Sequence, residues 1–344
     1  MRSCRTGLVF FLLFLSQPLA AQDATTETAA ALLTRDRAAL IAAAQAEGSV
    51  DVYSTVTVED MVLLGAAFDE MYGVEINLWR GSASAILQRA VTEARAGHHA
   101  VDVIEAPGSE LEAIAREGLL QAVSLPVYAQ LMDGAVEPGR PWVASRLIIF
   151  ALGCNTLRVR PDDVPRSYQD LLDPKWRGQI GIEATDYGWF MSLTDALGGE
   201  AGLQLFRDIA ETNGFSVRMG HTLLGNMVIA GELPLGVNLY RHFLEPAKAD
   251  GAPIDYVYLE PVMAVPSGAA VAKAAPHPHA AILFQDFLLN EAQAIYEDEF
   301  NTATNVNYQQ LPENLDLTFV DVSRYVDEIE TWQGLYREII GGGP

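Results

Sequence analysis

Tyr240 and Arg241 stand side by side within Pro234-Leu-Gly-Val-Asn-Leu-Tyr-Arg-His-Phe243, at the end of an apolar run. Their chemistries differ. A tyrosine oxygen can ligate a metal or share a hydrogen bond, whereas a guanidinium is permanently charged and has no lone pair to give a metal. Its planar fork pairs instead with carboxylate or phosphate oxygens in a bidentate way. A second group of similar character is Arg80-Gly81-Ser82-Ala83-Ser84. Gly81 lets the backbone approach a ligand. Ser82 and Ser84 offer hydroxyls and amides where a helix begins and its dipole favours negative charge. These residues form a candidate anion cradle. Plainer roles stay open: Ser82 as a simple N-cap, Arg80 and Arg241 as members of surface ion pairs.

Ser54 and Thr55 follow the first strand and are further cleft candidates. Glu183-Ala-Thr-Asp-Tyr-Gly-Trp-Phe190 follows another strand and offers Thr185, Asp186 and Trp189. Loops at the carboxyl ends of strands are where open parallel sheets bind ligands. This mixture of hydrogen-bonding groups and flat apolar surface suits an organic solute, although Trp189 and Phe190 can equally start a helix and pack inward. His221, opening a helix near the same face, can donate to an anion or serve a cap. His98 and His99 close a helix. His277 and His279 read as surface cap residues rather than a zinc site, because no cysteine or carboxylate follows at a closed-site spacing.

Elements must position these groups. Alternation predicts strands at 50–54, 74–79 and 101–105, and helical periodicity predicts helices at 36–47, 59–71, 85–97 and 109–118. Gly73 marks a C-terminal cap, and Ser109-Glu-Leu-Glu112 reads as a capping box. Residues 145–154 form one long apolar strand, followed by strands at 179–183, 233–239 and 254–258. Helices fall at 189–197, 201–213, 222–231 and directly after 241. Residues 261–271 read as a returning strand, and 276–290 and 321–340 as helices. Strands alternating with helices require crossover connections, so the class is α/β with doubly wound, mainly parallel sheets. A chain that leaves one lobe and returns to it makes a two-strand hinge, which suits closure around a ligand. The expected division is a first lobe of 48–147 with 264–295 and a second of 148–263 with 296–344. Residues 22–47 form an arm and helix before them.

Residues 1–21 read as a targeting segment: Arg2 and Arg5, an apolar run over 7–15, and small residues at Leu19-Ala-Ala21. The run is shorter than the roughly 20 residues that span a bilayer. Export as a soluble periplasmic protein follows. Cleavage leaves Cys154 as the one cysteine, so no internal disulfide can form and stability rests on core burial. Cys154 lies in an apolar segment and is expected to be a buried small hydrophobe. The formal charge of −23 argues against binding a nucleic-acid backbone or an anionic membrane. Its carboxylates read as solvated helix faces.

Several runs together carry a family likeness: Val52-Tyr53-Ser54, the segment 80–84, Val101-Asp102-Val103, and Tyr168-Gln-Asp-Leu-Leu-Asp-Pro-Lys-Trp-Arg-Gly178. Ala274-Ala-Pro-His-Pro-His-Ala280 and Phe284-Gln-Asp-Phe-Leu-Leu289 complete the set. The chain resembles the iron(III)-type periplasmic solute-binding proteins of ABC transporters. The resemblance implies a two-lobed, type-2 periplasmic binding fold that acts as a monomer and delivers solute to an inner-membrane permease. It carries Tyr240 over as a metal ligand. Arg241 stands where iron-holding members show a second tyrosine, and the loop 55–59 has no histidine. Glu105 is a further oxygen donor should iron bind.

No Gly-x-Ser-x-Gly elbow, His-Glu-x-x-His or phosphate-loop signature is present, and Cys154 has no histidine partner. The sequence therefore reads as a carrier without a cofactor, binding a small organic anion such as a carboxylate, phosphonate or phosphate ester. Ferric iron, alone or with an anion, is the alternative cargo, and a periplasmic enzyme on the same fold is a remote one.

Overall fold

The computed structural model describes residues 29–298, 301–312 and 315–341. The expected targeting segment and the start of the arm lie outside them. A helical run at 29–35 precedes α1 (Arg37–Glu47), β1 (Ser49–Ser54), α2 (Val58–Tyr72), β2 (Glu75–Arg80), α3 (Ala83–Arg95), β3 (Val103–Pro107) and α4 (Gly108–Arg116). Short β4 (Leu120–Gln121) leads to the long β5 (Val143–Asn155). Then come β6 (Ile180–Glu183), α5 (Tyr187–Ala196), α6 (Glu200–Thr212), β7 (Ser216–Arg218), α7 (His221–Ile229), β8 (Leu235–Tyr240), α8 (Arg241–Ala249) and β9 (Ile254–Val257). The chain returns through β10 (Val262–Ala272), α9 (Pro278–Leu289), α10 (Ala292–Asp298), β11 (Thr302–Ala303), β12 (Leu317–Phe319) and α11 (Val322–Ile339).

The strands make one curled sheet, in the order β2-β1-β3-β10-β5-β8-β6-β7. Its flanks, β2-β1-β3 and β8-β6-β7, are parallel, as crossover helices require. The middle is antiparallel: β10 pairs with β3 and β5, and β5 pairs with β8. Leu147–Ile149 of β5 face Ala264–Pro266 of β10, and β5 then runs on as Phe150–Cys154 beside β8 and β9. Two long strands therefore join the halves. Their burial on both faces explains why 145–154 is continuously apolar rather than alternating.

Each half has its own aromatic core. Phe68, Phe284 and Phe287 pack mutually under β1, and Trp189, Phe190, Phe206 and Tyr336 pack in the other half. Each such ring contributes about 1.5–3 kcal/mol by leaving water. Cys154 is buried as expected, and burial pushes its thiol up to about 11, leaving it inert.

Local chemistry explains most helix ends. Thr57 accepts from Asp60 N at the start of α2, and Gly73, at φ 66°, ends it in the left-handed conformation. The capping box expected at Ser109 does not form. Helix α4 already begins at Gly108, behind Pro107, so Ser109 is inside the first turn and its hydroxyl donates to Glu110. His98 and His99 lie beyond α3, which stops at Arg95. His277 and His279 do more than cap. Pro276 and Pro278 lack N–H groups, and the neighbouring amides are met by carboxylates from afar: His277 N by Asp102, and His279 N and Ala280 N by Glu47. Both rings hold the same acids, with Nδ1 of His277 2.8 Å from Asp102 and Nδ1 of His279 2.7 Å from Glu47.

Candidate functional site

The carboxyl ends of β1 and β8 approach each other across the crossover strand β5 and enclose a cavity of about 350 Å3. Thr55 and Thr57 line it from the β1–α2 turn and Asp60 from the first turn of α2, Arg146 and Ile148 from β5, Tyr240 from the end of β8 and His242 from the first turn of α8, and Tyr296 and Asn301 from the returning chain. Hence elements from both halves of the sheet contribute.

Among the described residues Arg146 is the one arginine in this wall, and its side chain is 10% exposed. Its Nε lies 3.7 Å from Glu105 Oε1, and Nη1 donates to Asn301 Oδ1 at 3.5 Å. Nε has no hydrogen-bond partner among the described residues. These are long contacts for a charged donor, so capacity remains for a ligand oxygen. Glu105 is wholly buried beneath Arg146 and accepts from Ser54 Oγ at 3.1 Å and Tyr296 OH at 2.9 Å. Burial raises its pKa, while Arg146 and the two hydroxyls pull it back down.

Tyr240 stacks on His221 with ring centroids 3.7 Å apart and on His242 at 5.2 Å, and it meets Phe150 edge-on. Burial, then the carboxylates of Asp186 and Glu183, hold its phenol well above its ordinary value. His242 goes the other way: burial and the cations Arg146, His221 and Arg241 lower it to about 3. The rings of Tyr240 and His242 are therefore neutral near pH 7.

Behind Tyr240 lies a polar network. Asp186 Oδ2 accepts from Asn238 at 2.6 Å and lies 2.8 Å from His221 Nε2. Glu183 receives the amides of Thr185 and Gly220. Burial works to lower the His221 pKa, but Asp186 and Glu183 outweigh it and the pKa is raised. Glu183, Asp186 and His221 bring one ligand atom each within 4.8 Å of one another.

Of the residues singled out from sequence, Thr55 and Tyr240 line the cavity, while Ser54 and Glu105 lie beneath its floor. Arg80 is exposed and donates from Nε to Val56 O at 3.3 Å. Ser82 caps α3 through Ala85 N, with Ser84 Oγ 3.2 Å from its own Oγ. Thr185 Oγ1 bonds Glu183, and Asp186 is held by His221 and Asn238. Arg241 turns from the cavity and donates to Thr302 Oγ1 at 3.1 Å. Trp189 is 2% exposed, between Phe150 and Phe206, so its ring offers no face to a solute. The apolar side of α5 has drawn it into the core.

Sequence reasoning missed Arg146, Asp60, Thr57, His242, Tyr296 and Asn301. Arg146 alone left a signal: it is a single charge inside the apolar run 145–154, where burial is costly unless the charge is used or paired. A separate hollow of about 320 Å3 beside His98, His99 and Lys273 lies at the amino end of β3, the opposite end of the sheet, and its walls are mainly aliphatic.

Among the described residues no helix is long and apolar enough to cross a membrane. A model of the family described as bacterial extracellular solute-binding protein matches residues 50–300. The chain is 26% identical over 258 residues to iron uptake protein A1 of Synechocystis sp., covering 67% of this chain and 68% of that one. It is similar in structure to iron-bound HitA from Pseudomonas aeruginosa, with a TM-score of 0.69 and 19% identity over 85% of this chain and 99% of that one. It is likewise similar to the periplasmic binding protein AfuA from Actinobacillus pleuropneumoniae with fructose-6-phosphate bound. There the TM-score is 0.71, with 22% identity over 86% of this chain and 99% of that one. These likenesses establish the type-2 periplasmic binding fold.

Proposed function

The chain belongs to the bacterial extracellular solute-binding protein family, and from that premise we propose that it captures a small organic anion for an ABC importer. The site is the cavity between the lobes, here taken as 48–147 with 264–295 and 148–263 with 296–344. The protein works in the periplasm as a monomer and hands its solute, chemically unchanged, to an inner-membrane permease. The observation that carries the anion assignment is Arg146. Its guanidinium is almost wholly withdrawn from water, makes only long contacts among the described residues, and faces a cavity whose Tyr240 and His242 are neutral. Thr55 and Thr57 line the same cavity. On closure, Arg80, Ser82 and Ser84 from the first lobe and Thr185 and Arg241 from the second complete the cradle. A sugar-phosphate-bound relative shares the fold, which is consistent with an anionic cargo.

The test is native mass spectrometry of protein purified without chelator, followed by thermal shifts with carboxylates, phosphonates and phosphate esters. A ligand that binds the folded state alone raises the melting temperature with its concentration. A co-purified organic anion, bound by the wild type and lost in Arg146→Gln, supports the assignment.

Ferric iron, alone or with a co-bound anion, is a second cargo with an observation behind it. Glu183, Asp186 and His221 cluster beside Tyr240, offering the oxygen and nitrogen donors that this hard ion takes. Relatives are named for iron. Against it, both carboxylates already accept internal hydrogen bonds, and Tyr240 would have to release a firmly held proton. A visible phenolate band on adding ferric salt, with no response to organic anions, would overturn the anion assignment.

A further inference from the structure

We propose that the solute is zwitterionic, its acid group held by Arg146 and its ammonium by Asp60; this rests on the cavity being the solute site. Asp60 lines the same cavity as Arg146, from the first turn of α2. Its backbone amide is capped by Thr57 at 3.1 Å, but among the described residues its carboxylate has neither a hydrogen bond nor an ion pair. An acidic residue in a first helical turn favours the dipole wherever it points. Exposed Glu59, its neighbour, already supplies that charge without facing the cavity.

Charge balance then selects the class of solute. Arg146 is already opposed by the buried Glu105, so the acid group of a ligand gains from the guanidinium against a carboxylate below it. Asp60 adds a further negative charge to the wall, and Tyr240 and His242 add none. A solute bearing negative charge alone meets Asp60 as repulsion, which a partly enclosed cavity screens less than bulk water does. A solute with an ammonium at one end and an acid at the other meets a partner at each. Thr55, which lines the same cavity, is left for its uncharged parts. The chemical class is a short amino carboxylate or amino phosphonate.

Isothermal titration with matched pairs tests this: 4-aminobutanoate against butanoate, and 2-aminoethylphosphonate against ethylphosphonate. The expected result is at least tenfold tighter binding of the amino member in one pair. Asp60→Asn should bring that ratio within about twofold, and Asp60→Lys should reverse it, each with a melting curve showing an intact fold. Equal affinity within both pairs in the wild type overturns the zwitterion and leaves the anion assignment standing. Absence of binding by both amino compounds likewise overturns the zwitterion, while the anion assignment stands or falls on its own panel of carboxylates, phosphonates and phosphate esters.

Discussion

Arg146 on β5 and Glu105 near the end of β3 form an ion pair, Nε to Oε1 at 3.7 Å, with side-chain exposures of 10% and 0%. The pair ties the crossover strand to the first half of the sheet directly below the cavity. Removing one partner of a buried pair leaves an uncompensated charge, which costs about 3–5 kcal/mol. Glu105→Ala should therefore lower the urea stability by about that amount. Glu105→Ala with Arg146→Leu should recover a large part of it, because no charge then remains unpaired. A double variant as unstable as the single would mean that the hydroxyls of Ser54 and Tyr296 carry the stability instead.

Arg146 and Arg241 make different demands on a ligand. Arg146 lines the cavity, whereas Arg241 turns from it and bonds Thr302. Loss of a charge-assisted contact costs about 1.5–3 kcal/mol. Calorimetry on the ligand identified by native mass spectrometry should show Arg146→Gln weakening binding by tenfold or more. Arg241→Tyr should weaken it less, since Arg241 is already bonded to Thr302 and does not line the cavity. The reverse ranking would move the binding centre to the β8–α8 turn.

His277 sets a pH dependence. Its hydrogen bond to Asp102, opposed by burial and aided by Asp51 and Glu47, raises its pKa above the ordinary 6.5. A raised folded-state pKa means the proton binds more tightly to the folded chain. The stabilisation is thus complete below about pH 6.5 and fades as pH rises through the elevated value. Urea midpoints for the wild type should fall across that window. His277→Gln should remove this component of the slope and cost about 1–2 kcal/mol at pH 5.5. An unchanged slope would show that the imidazole is not charged against Asp102.

Gly268 lies at the register shift where β10 passes from Arg146 to Ala144 of β5. A Cβ there would meet Val143 O at 2.3 Å, a backbone atom that cannot swing aside. Gly268→Ala should destabilise by about 1–3 kcal/mol through forced overpacking, read as a lower urea midpoint. A neutral outcome would mean that the two crossover strands separate easily at this point.

Much of the fold was legible because periodicity and glycine punctuation are local. Helices α1, α2, α6 and α11 and strands β1, β5 and β6 fall within two residues of their expected bounds. Local rules failed where a neighbour intervened: Pro107 starts α4 early enough to enclose Ser109. The candidate site was only half legible. Tyr240, Thr55 and the strand ends could be placed at a cleft, because carboxyl ends of strands converge there. Trp189, expected at the cleft, packs in the core instead, since a tryptophan beside a strand end suits both.

The amino-acid sequence by itself determined the α/β class, the order of elements and the solute-binding family, because these follow from side-chain periodicity and short runs of residues. Tertiary structure alone decided which charges meet. Arg146 finds Glu105 and shares a wall with Asp60, and His277 finds Asp102 across 175 positions. Such pairings depend on strand register and on which face of β5 turns to the cavity. A shift of one residue would send every side chain of that strand to the other face.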